Sequence, residues 1–138
     1  YGPRMMKDDG RVVSNFIVQA LNNEPITING DGNQTRSFCY VDDLINGLCL
    51  AMNTSYQGAL NLGNPEEFTI RELAYFIKEK INPEISLVYK SLPEDDPLQR
   101  KPDIDKAKKL FNWTPNINLE NGINKTIDYF KKELNEVL

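Results

Sequence analysis

The sequence predicts an α/β fold in which amphipathic helices alternate with short strands. Apolar residues recur at helical spacing in several segments, and short apolar or β-branched runs lie between them. Strands of this length do not build a free-standing sheet, and each amphipathic helix needs a surface on which to pack. We therefore expect a single lobe, residues 1–138, that packs on a larger sheet outside this chain.

The composition is that of an ordinary globular domain, with 138 residues, 40% apolar and 26% charged. A net charge of −4 argues against a nucleic-acid surface, and the absence of histidine removes the commonest general base and metal ligand. Cys39 and Cys49 lie in apolar stretches without a CxxC spacing, which predicts buried free thiols and a cytoplasmic, reducing compartment. No stretch approaches the ~20 apolar residues of a membrane span. The chain begins at Tyr1 without an initiator Met, so we expect it to be part of a longer protein.

The first half of the chain predicts a helix, two strands and a second helix. Apolar residues from Val12 to Leu21 have helical spacing, and the sequence NNEP at 22–25 ends that helix. Residues 26–28 and 37–41 are the predicted strands. Asp42 or Asp43 is expected to cap the second helix. The apolar face predicted for that helix comprises Leu44, Ile45, Leu48, Cys49 and Met52.

The second half adds two further strands, at 59–62 and 85–89, and three helices. Thr69 and Glu72 have the spacing of a capping box, and we expect the helix that they open to bury its apolar face. Residues 92–102 are predicted to form a loop, residues 104–111 a short helix, and Asn112 its left-handed cap. We expect the last helix to begin near Leu119, and Trp113 to be a packing residue.

The turn GDGNQT at 30–35, followed by Arg36, is the most informative stretch for function. Gly30 and Gly32 would let the backbone approach a ligand closely, and Arg36 stands where the turn becomes a strand. A rigidly held guanidinium suits a diphosphate, because it offers paired charge-assisted donors. The alternative is a surface hairpin with a solvated arginine. Arg100 lies in an acidic, proline-containing loop, where it could instead pair with a neighbouring aspartate.

Several motifs resemble those of the UDP-glucuronate decarboxylases (UDP-xylose synthases), in the extended short-chain dehydrogenase (NAD-dependent epimerase/dehydratase) family. They are YGPRM at 1–5, DGRVVSNFI at 9–17, QTRSFCYV at 34–41, NLGNPEE at 61–67 and DDPLQRKPDI at 95–104. The ending WTP at 113–115 is similar to the wider epimerase and dehydratase group. The resemblance covers the whole chain and implies the C-terminal substrate-binding lobe of such an enzyme.

The resemblance also implies a reaction, a cofactor and partners. Bound NAD oxidises C4 of UDP-glucuronate, the β-keto acid loses CO2, and NADH returns the hydride to give UDP-xylose. This chain holds neither the full Gly-rich turn nor the Tyr-x-x-x-Lys pair of such enzymes. We therefore expect the Rossmann half to be missing, NAD to be bound mainly by that N-terminal half, and this lobe to carry no catalytic residue or metal. A homodimer is expected for the full enzyme.

By position within these motifs, the resemblance assigns binding roles to nine residues. Arg36 and Arg100 would hold the diphosphate, Arg11 and Val12 the nucleotide side, Thr27 and Asn29 the uracil, Asn61 the substrate, and Tyr1 and Arg4 the nicotinamide end of the cofactor. Relatives usually carry an aromatic residue where Asn29 stands, so base stacking is weakened there. A proton-donor role has been considered at the Arg36 position, but a guanidinium with a pKa above about 12 is a poor acid, and we expect anchoring.

Two other readings of the sequence stay open. The chain could be the lobe of a related nucleotide-sugar dehydratase or epimerase. It could also be a non-catalytic module that binds nucleotide sugars, since the motifs for hydride transfer are absent from these 138 residues.

Overall fold

The computed structural model describes residues 1–135, which form five helices and five short strands. In chain order they are α1 (Val12–Leu21), β1 (Ile26–Asn29), β2 (Thr35–Ser37), α2 (Val41–Met52), β3 (Glu67–Thr69), α3 (Ile70–Ile81), β4 (Leu87–Lys90), β5 (Gln99–Arg100), α4 (Asp105–Phe111) and α5 (Leu119–Asn135).

The strands form two separate small sheets. β1 pairs in parallel with β4, while β2 lies between β3, which is antiparallel to it, and β5, which is parallel to it. Within residues 1–135 no ladder joins β1 to β2, although they are consecutive strands. Their relative position is set by the turn between them and by the packing of α3, which follows β3 directly, against β1.

The main core lies where α1, α3 and α5 pack around β1. The predicted helical faces meet there, because spacing of three and four residues places their apolar side chains on one side of each helix. The fully buried members include Ile17, Ile26, Leu73, Ile77 and Ile123. The predicted α/β fold of short strands and amphipathic helices is thereby confirmed.

A second, smaller cluster surrounds Trp113. This residue is 2% exposed, which confirms the prediction that it is a packing residue. Its indole Nε1 donates to the carbonyl of Asp43 at 3.2 Å. Gly47 permits this packing, since a Cβ there would lie 2.8 Å from the indole ring. The Asp43 carboxylate accepts the backbone N–H groups of Asn116 and Ile117 at 3.0 and 2.8 Å.

The prediction that Asp42 or Asp43 caps α2 is wrong. The helix begins at Val41, its N-cap is Tyr40, and no side chain caps it. The strand predicted at 37–41 is in fact β2, Thr35–Ser37, because the pairing partners in β3 and β5 lie opposite the earlier residues.

The predicted apolar face of α2 is exposed rather than buried. Ile45, Leu48 and Met52 are 52%, 49% and 84% exposed, and Cys49 is also exposed. The expectation of two buried thiols is therefore wrong for Cys49. The side of α2 that packs within the described residues is instead that of Asp43, Gly47 and Leu50, which lie against the Trp113 cluster.

The second half holds one wrong strand and two unpredicted ones. Residues 59–62 form no strand, and β3 and β5 form instead, the latter inside the predicted loop. These sequences are too short to show alternating polar and apolar residues. They become strands because they pair with β2. The capping box of Thr69, the left-handed Asn112 at φ 51° and the start of the last helix at Leu119 are confirmed. None of the helices described is long and apolar enough to span a bilayer.

Candidate functional site

A cavity of about 770 Å³ opens between the N-terminal end of α1, the strands β1 and β2, and the loop that leads into β5. Seven of the nine candidate residues line it: Tyr1, Arg11, Val12, Thr27, Asn29, Arg36 and Arg100. The sequence motifs that carry them are up to 99 positions apart, as from Tyr1 to Arg100, and the fold brings them to one place.

Arg36 and Arg100 are direct partners in the parallel pairing of β2 with β5. Paired residues on neighbouring strands lie about 5 Å apart and point to the same face of a sheet. Both arginines line the cavity, so two guanidinium groups share one wall.

The opposite face of the same strands is fixed by a polar network around Glu67. Its carboxylate accepts from Thr35 Oγ1 at 3.0 Å and Gln99 Nε2 at 2.6 Å, and it pairs with Lys101 Nζ at 3.1 Å. The hydrogen bond from Gln99, followed by that from Lys101, lowers the pKa of Glu67. This network ties the three strands together, and so holds the two arginines in register.

Arg36 already has protein partners. Its Nη1 donates to the carbonyl of Thr35 at 2.7 Å, and its Nη2 forms an ion pair with the carboxylate of Asp96. The arginine side chain is 14% exposed and the aspartate 30%. The expected alternative, pairing of Arg100 with Asp95 or Asp96, is not what the described residues show: Asp96 pairs with Arg36.

The wall formed by β1 is held by two glutamine side chains that the sequence did not single out. Gln19 accepts from the backbone N–H of Thr27 at 3.0 Å and donates to its hydroxyl at 3.2 Å. Gln34 donates to the carbonyl of Asn29 at 2.7 Å. No sequence signal distinguishes these glutamines from solvated ones, because their partners are defined only by the tertiary fold.

The two glycines of the turn do not face the cavity, contrary to expectation. Gly30 has a φ of 68° and Gly32 a φ of 77°. A Cβ on Gly30 would lie 3.1 Å from Leu92, and a Cβ on Gly32 would lie 3.1 Å from Arg71. Their role is to permit the turn and its close packing against the protein.

At the α1 end of the cavity, Asp9 organises the backbone. Its Oδ1 accepts from the Arg11 N–H at 3.0 Å and from the Ser14 hydroxyl at 2.7 Å. The side chain of Arg11 is 77% exposed and makes only a 3.5 Å ion pair with Asp9. It is therefore free to reorient toward a bound anion.

The two predicted cofactor contacts lie at different places. The Tyr1 ring lines the cavity and its hydroxyl donates to the carbonyl of Leu119 at 3.3 Å. Burial raises the pKa of this hydroxyl, which stays protonated. Arg4 lies outside the cavity lining and adopts an unusual positive φ of 68°. Asn61, the second candidate outside the lining, donates to the carbonyl of Asp103 at 3.2 Å.

The chemistry available in the cavity is that of anion binding. Residues 1–135 include no cluster of three potential metal ligands. Burial, and then the charge of Asp43, raises the pKa of the Cys39 thiol, which disfavours a thiolate nucleophile. The charged groups of the lining are Arg11, Arg36 and Arg100, with Asp95 and Asp96 as counter-charges.

Comparison with known proteins gives both a family and close relatives. Residues 1–63 match the sequence model of the NAD dependent epimerase/dehydratase family. The chain is 52% identical to UDP-glucuronic acid decarboxylase 1 of Xenopus tropicalis over 134 residues, covering 97% of this chain and 32% of that protein. Identity to UDP-glucuronic acid decarboxylase 1 of Arabidopsis thaliana is 51%, covering 97% and 31%. The chain thus spans about a third of the length of these curated relatives.

Solved structures agree with the sequence comparison. UDP-glucose 4-epimerase of Thermotoga maritima, solved with UDP-glucose, superposes with a TM-score of 0.93 at 33% identity, over 97% of this chain and 44% of that one. UDP-glucuronic acid 4-epimerase of Bacillus cereus, solved with UDP-glucuronic acid and NAD, gives 0.89 at 31% identity, over 96% and 43%. Residues 1–63 therefore match the NAD-dependent epimerase/dehydratase family, and the chain is homologous to the C-terminal region of the UDP-glucuronic acid decarboxylases.

Proposed function

We propose that this chain is the UDP-sugar-binding part of an NAD-dependent UDP-glucuronate decarboxylase, which converts UDP-glucuronate to UDP-xylose and CO2. The observation that carries the binding role is the pairing of Arg36 with Arg100 on one cavity wall. About 50% identity to the decarboxylases supports the choice of reaction.

In this proposal the diphosphate lies against Arg36 and Arg100. A hydrogen bond to a charged group contributes about 1.5–3 kcal/mol, so the two arginines would dominate affinity in a chain that is acidic overall. The diphosphate takes the place that the Asp96 carboxylate holds on Arg36. The base meets the edge of β1 at Thr27 and Asn29, and Arg11 and Val12 complete the nucleotide side.

NAD is the cofactor that we propose for the full enzyme, bound mainly by the N-terminal part of the relatives' length. The residues of this chain do not fit a dinucleotide phosphate site, because Gly30 and Gly32 pack against Leu92 and Arg71. Tyr1 and Arg4 are the candidate contacts to the nicotinamide end. We assign no catalytic residue within this chain, and no step of hydride transfer to it.

Two further aspects belong to the same proposal. The free thiols Cys39 and Cys49 are compatible with a reducing, cytoplasmic compartment. A homodimer is the assembly that we propose for the full enzyme.

The competing function is that of a nucleotide-sugar epimerase, which the solved neighbours favour at about 30% identity. Incubation of the full-length protein with UDP-glucuronate and NAD separates the two. The proposal predicts CO2 and UDP-xylose at a rate of order 1 s⁻¹ or more. Formation of the C4 epimer without CO2 would identify an epimerase, and UDP binding without turnover a binding module.

A further inference from the structure

We propose that Gln34 is a positioning residue for the nucleotide: its amide fixes the wall that meets the base relative to the wall that meets the diphosphate. The inference rests on the proposed function, since it concerns the ligand that spans both walls. It goes beyond it by assigning this role to a residue outside the predicted site.

Gln34 is buried in an otherwise exposed turn. It is 5% exposed, whereas its neighbour Asn33 is exposed to solvent. Its side-chain Nε2 donates to the carbonyl of Asn29 at 2.7 Å. Its backbone carbonyl accepts from the N–H of Ile70 at 3.1 Å. The residue lines the cavity, between the two walls.

The bridge matters because the two walls belong to different sheets. β1, with Thr27 and Asn29, pairs with β4, and β2, with Arg36, pairs with β3 and β5. In the described part of the chain no backbone ladder sets the distance between β1 and β2. The hydrogen bond from Gln34 to Asn29 crosses this gap directly.

Other contacts hold the turn but do not replace this bridge. Arg71 donates through its N–H to the carbonyl of Gly32 at 3.0 Å and through Nη2 to the carbonyl of Asp31 at 2.5 Å. Both bonds join the tip of the turn to the start of α3. Neither bond reaches the carbonyl of Asn29 at the end of β1, which the Gln34 amide holds.

A ligand that contacts both walls gains from their being held in place, and a ligand that contacts one wall does not. Preorganised sites bind more tightly because less freedom is lost on binding. UDP spans both walls in the proposed arrangement, whereas uridine meets only the base wall and inorganic diphosphate only the arginine wall. The three ligands together therefore separate positioning from direct contact.

The experiment uses the full-length protein and measures dissociation constants for UDP, uridine and inorganic diphosphate. Gln34→Met keeps the side-chain length but cannot donate, and Gln34→Glu places a carboxylate oxygen against the Asn29 carbonyl. Gln57→Ala, at an exposed glutamine, is the matched control. We expect both Gln34 variants to bind UDP about tenfold more weakly. Gln34→Met should change the affinities for uridine and diphosphate less than about twofold, whereas the added charge of Gln34→Glu also repels diphosphate.

Each other result overturns the inference. A matching loss of uridine affinity would make Gln34 a direct base contact, and an equal loss for all three ligands with a lower melting temperature would make its role merely structural. Unchanged UDP affinity in folded Gln34→Met would overturn this inference and leave the proposed function standing. Failure of the wild-type protein to bind UDP would overturn the proposed function, and this inference with it.

Discussion

At the scale of single residues, the sequence predicted which side chains line the cavity but not which residues they pair with. Arg36, Arg100, Thr27 and Asn29 were singled out by their motifs and line one cavity, although the strand β5 that carries Arg100 was predicted as a loop. The ion pair of Arg36 with Asp96 joins residues 60 positions apart, and no local pattern encodes it. The site was thus predictable in its cations and not in their counter-charges.

That counter-charge leads to a prediction about affinity. Asp96→Asn in the full-length protein should strengthen UDP binding about threefold to tenfold, because the diphosphate no longer competes with a carboxylate for Arg36. Glu94→Gln removes the same charge from the same loop outside the cavity lining and should leave the affinity unchanged. Weaker binding in Asp96→Asn would show instead that the aspartate orients Arg36. Fluorescence or calorimetric titration of UDP measures the difference.

At the scale of elements, helices were predicted well where the pattern and the partner lie in the same chain. α1, α3 and α5 have the expected faces because they pack on one another. The strands at 37–41 and 59–62 were wrong, since segments of three residues are decided by pairing rather than by their own sequence. The capping box of α3 was right because its signal is entirely local.

The capping box predicts a stability change. Thr69 accepts from the Glu72 N–H at 3.0 Å, and the Glu72 carboxylate accepts from the Thr69 N–H at 2.7 Å. Thr69→Ala in the full-length protein should therefore lower the free energy of unfolding by about 1 kcal/mol. Thr114→Ala, at an exposed threonine outside the helices, is the control in chemical denaturation. An unchanged denaturation midpoint for Thr69→Ala would contradict the assignment.

The same box predicts a pH dependence. The hydrogen bonds from Thr69, backbone first, lower the pKa of Glu72 below its ordinary value of 4.5. A lowered folded-state pKa stabilises the protein above the ordinary value, and that stabilisation is lost as the pH falls through the folded-state pKa. Glu72→Ala should therefore destabilise the protein at neutral pH and less so in acid. A difference that does not shrink on acidification would contradict this, as measured by denaturation at each pH.

At the scale of the whole molecule, the chain has an apolar surface that the described residues leave open. Ile45, Leu48 and Met52 project from α2, and the relatives are about three times the length of this chain. The sequence predicted that each amphipathic helix needs a partner, and residues 1–135 place none over this face; that the partner lies in the rest of the protein stays a prediction. We expect the isolated chain to melt without sharp cooperativity and to bind an apolar dye.

This surface can be tested directly on the isolated chain. Leu48→Asp should lower dye binding, because it places a charge in the exposed face of α2. Leu98→Asp, at a leucine that is 74% exposed on the loop before β5, is the matched control. The isolated chain should also form no CO2 from UDP-glucuronate and NAD. A sharply cooperative melt of the dilute monomer without dye binding would contradict the expectation.

The central claim, that Arg36 anchors the diphosphate, is tested most directly by titrating UDP into the full-length protein by calorimetry. Arg36→Ala should weaken UDP binding about 10- to 150-fold, and Arg36→Lys should recover only part, since an ammonium cannot form the two-pronged contact. If the arginine instead donates a proton, kcat collapses while UDP affinity holds. Unchanged UDP affinity in a folded Arg36→Ala protein would contradict the account and leave Arg100 as the main phosphate contact.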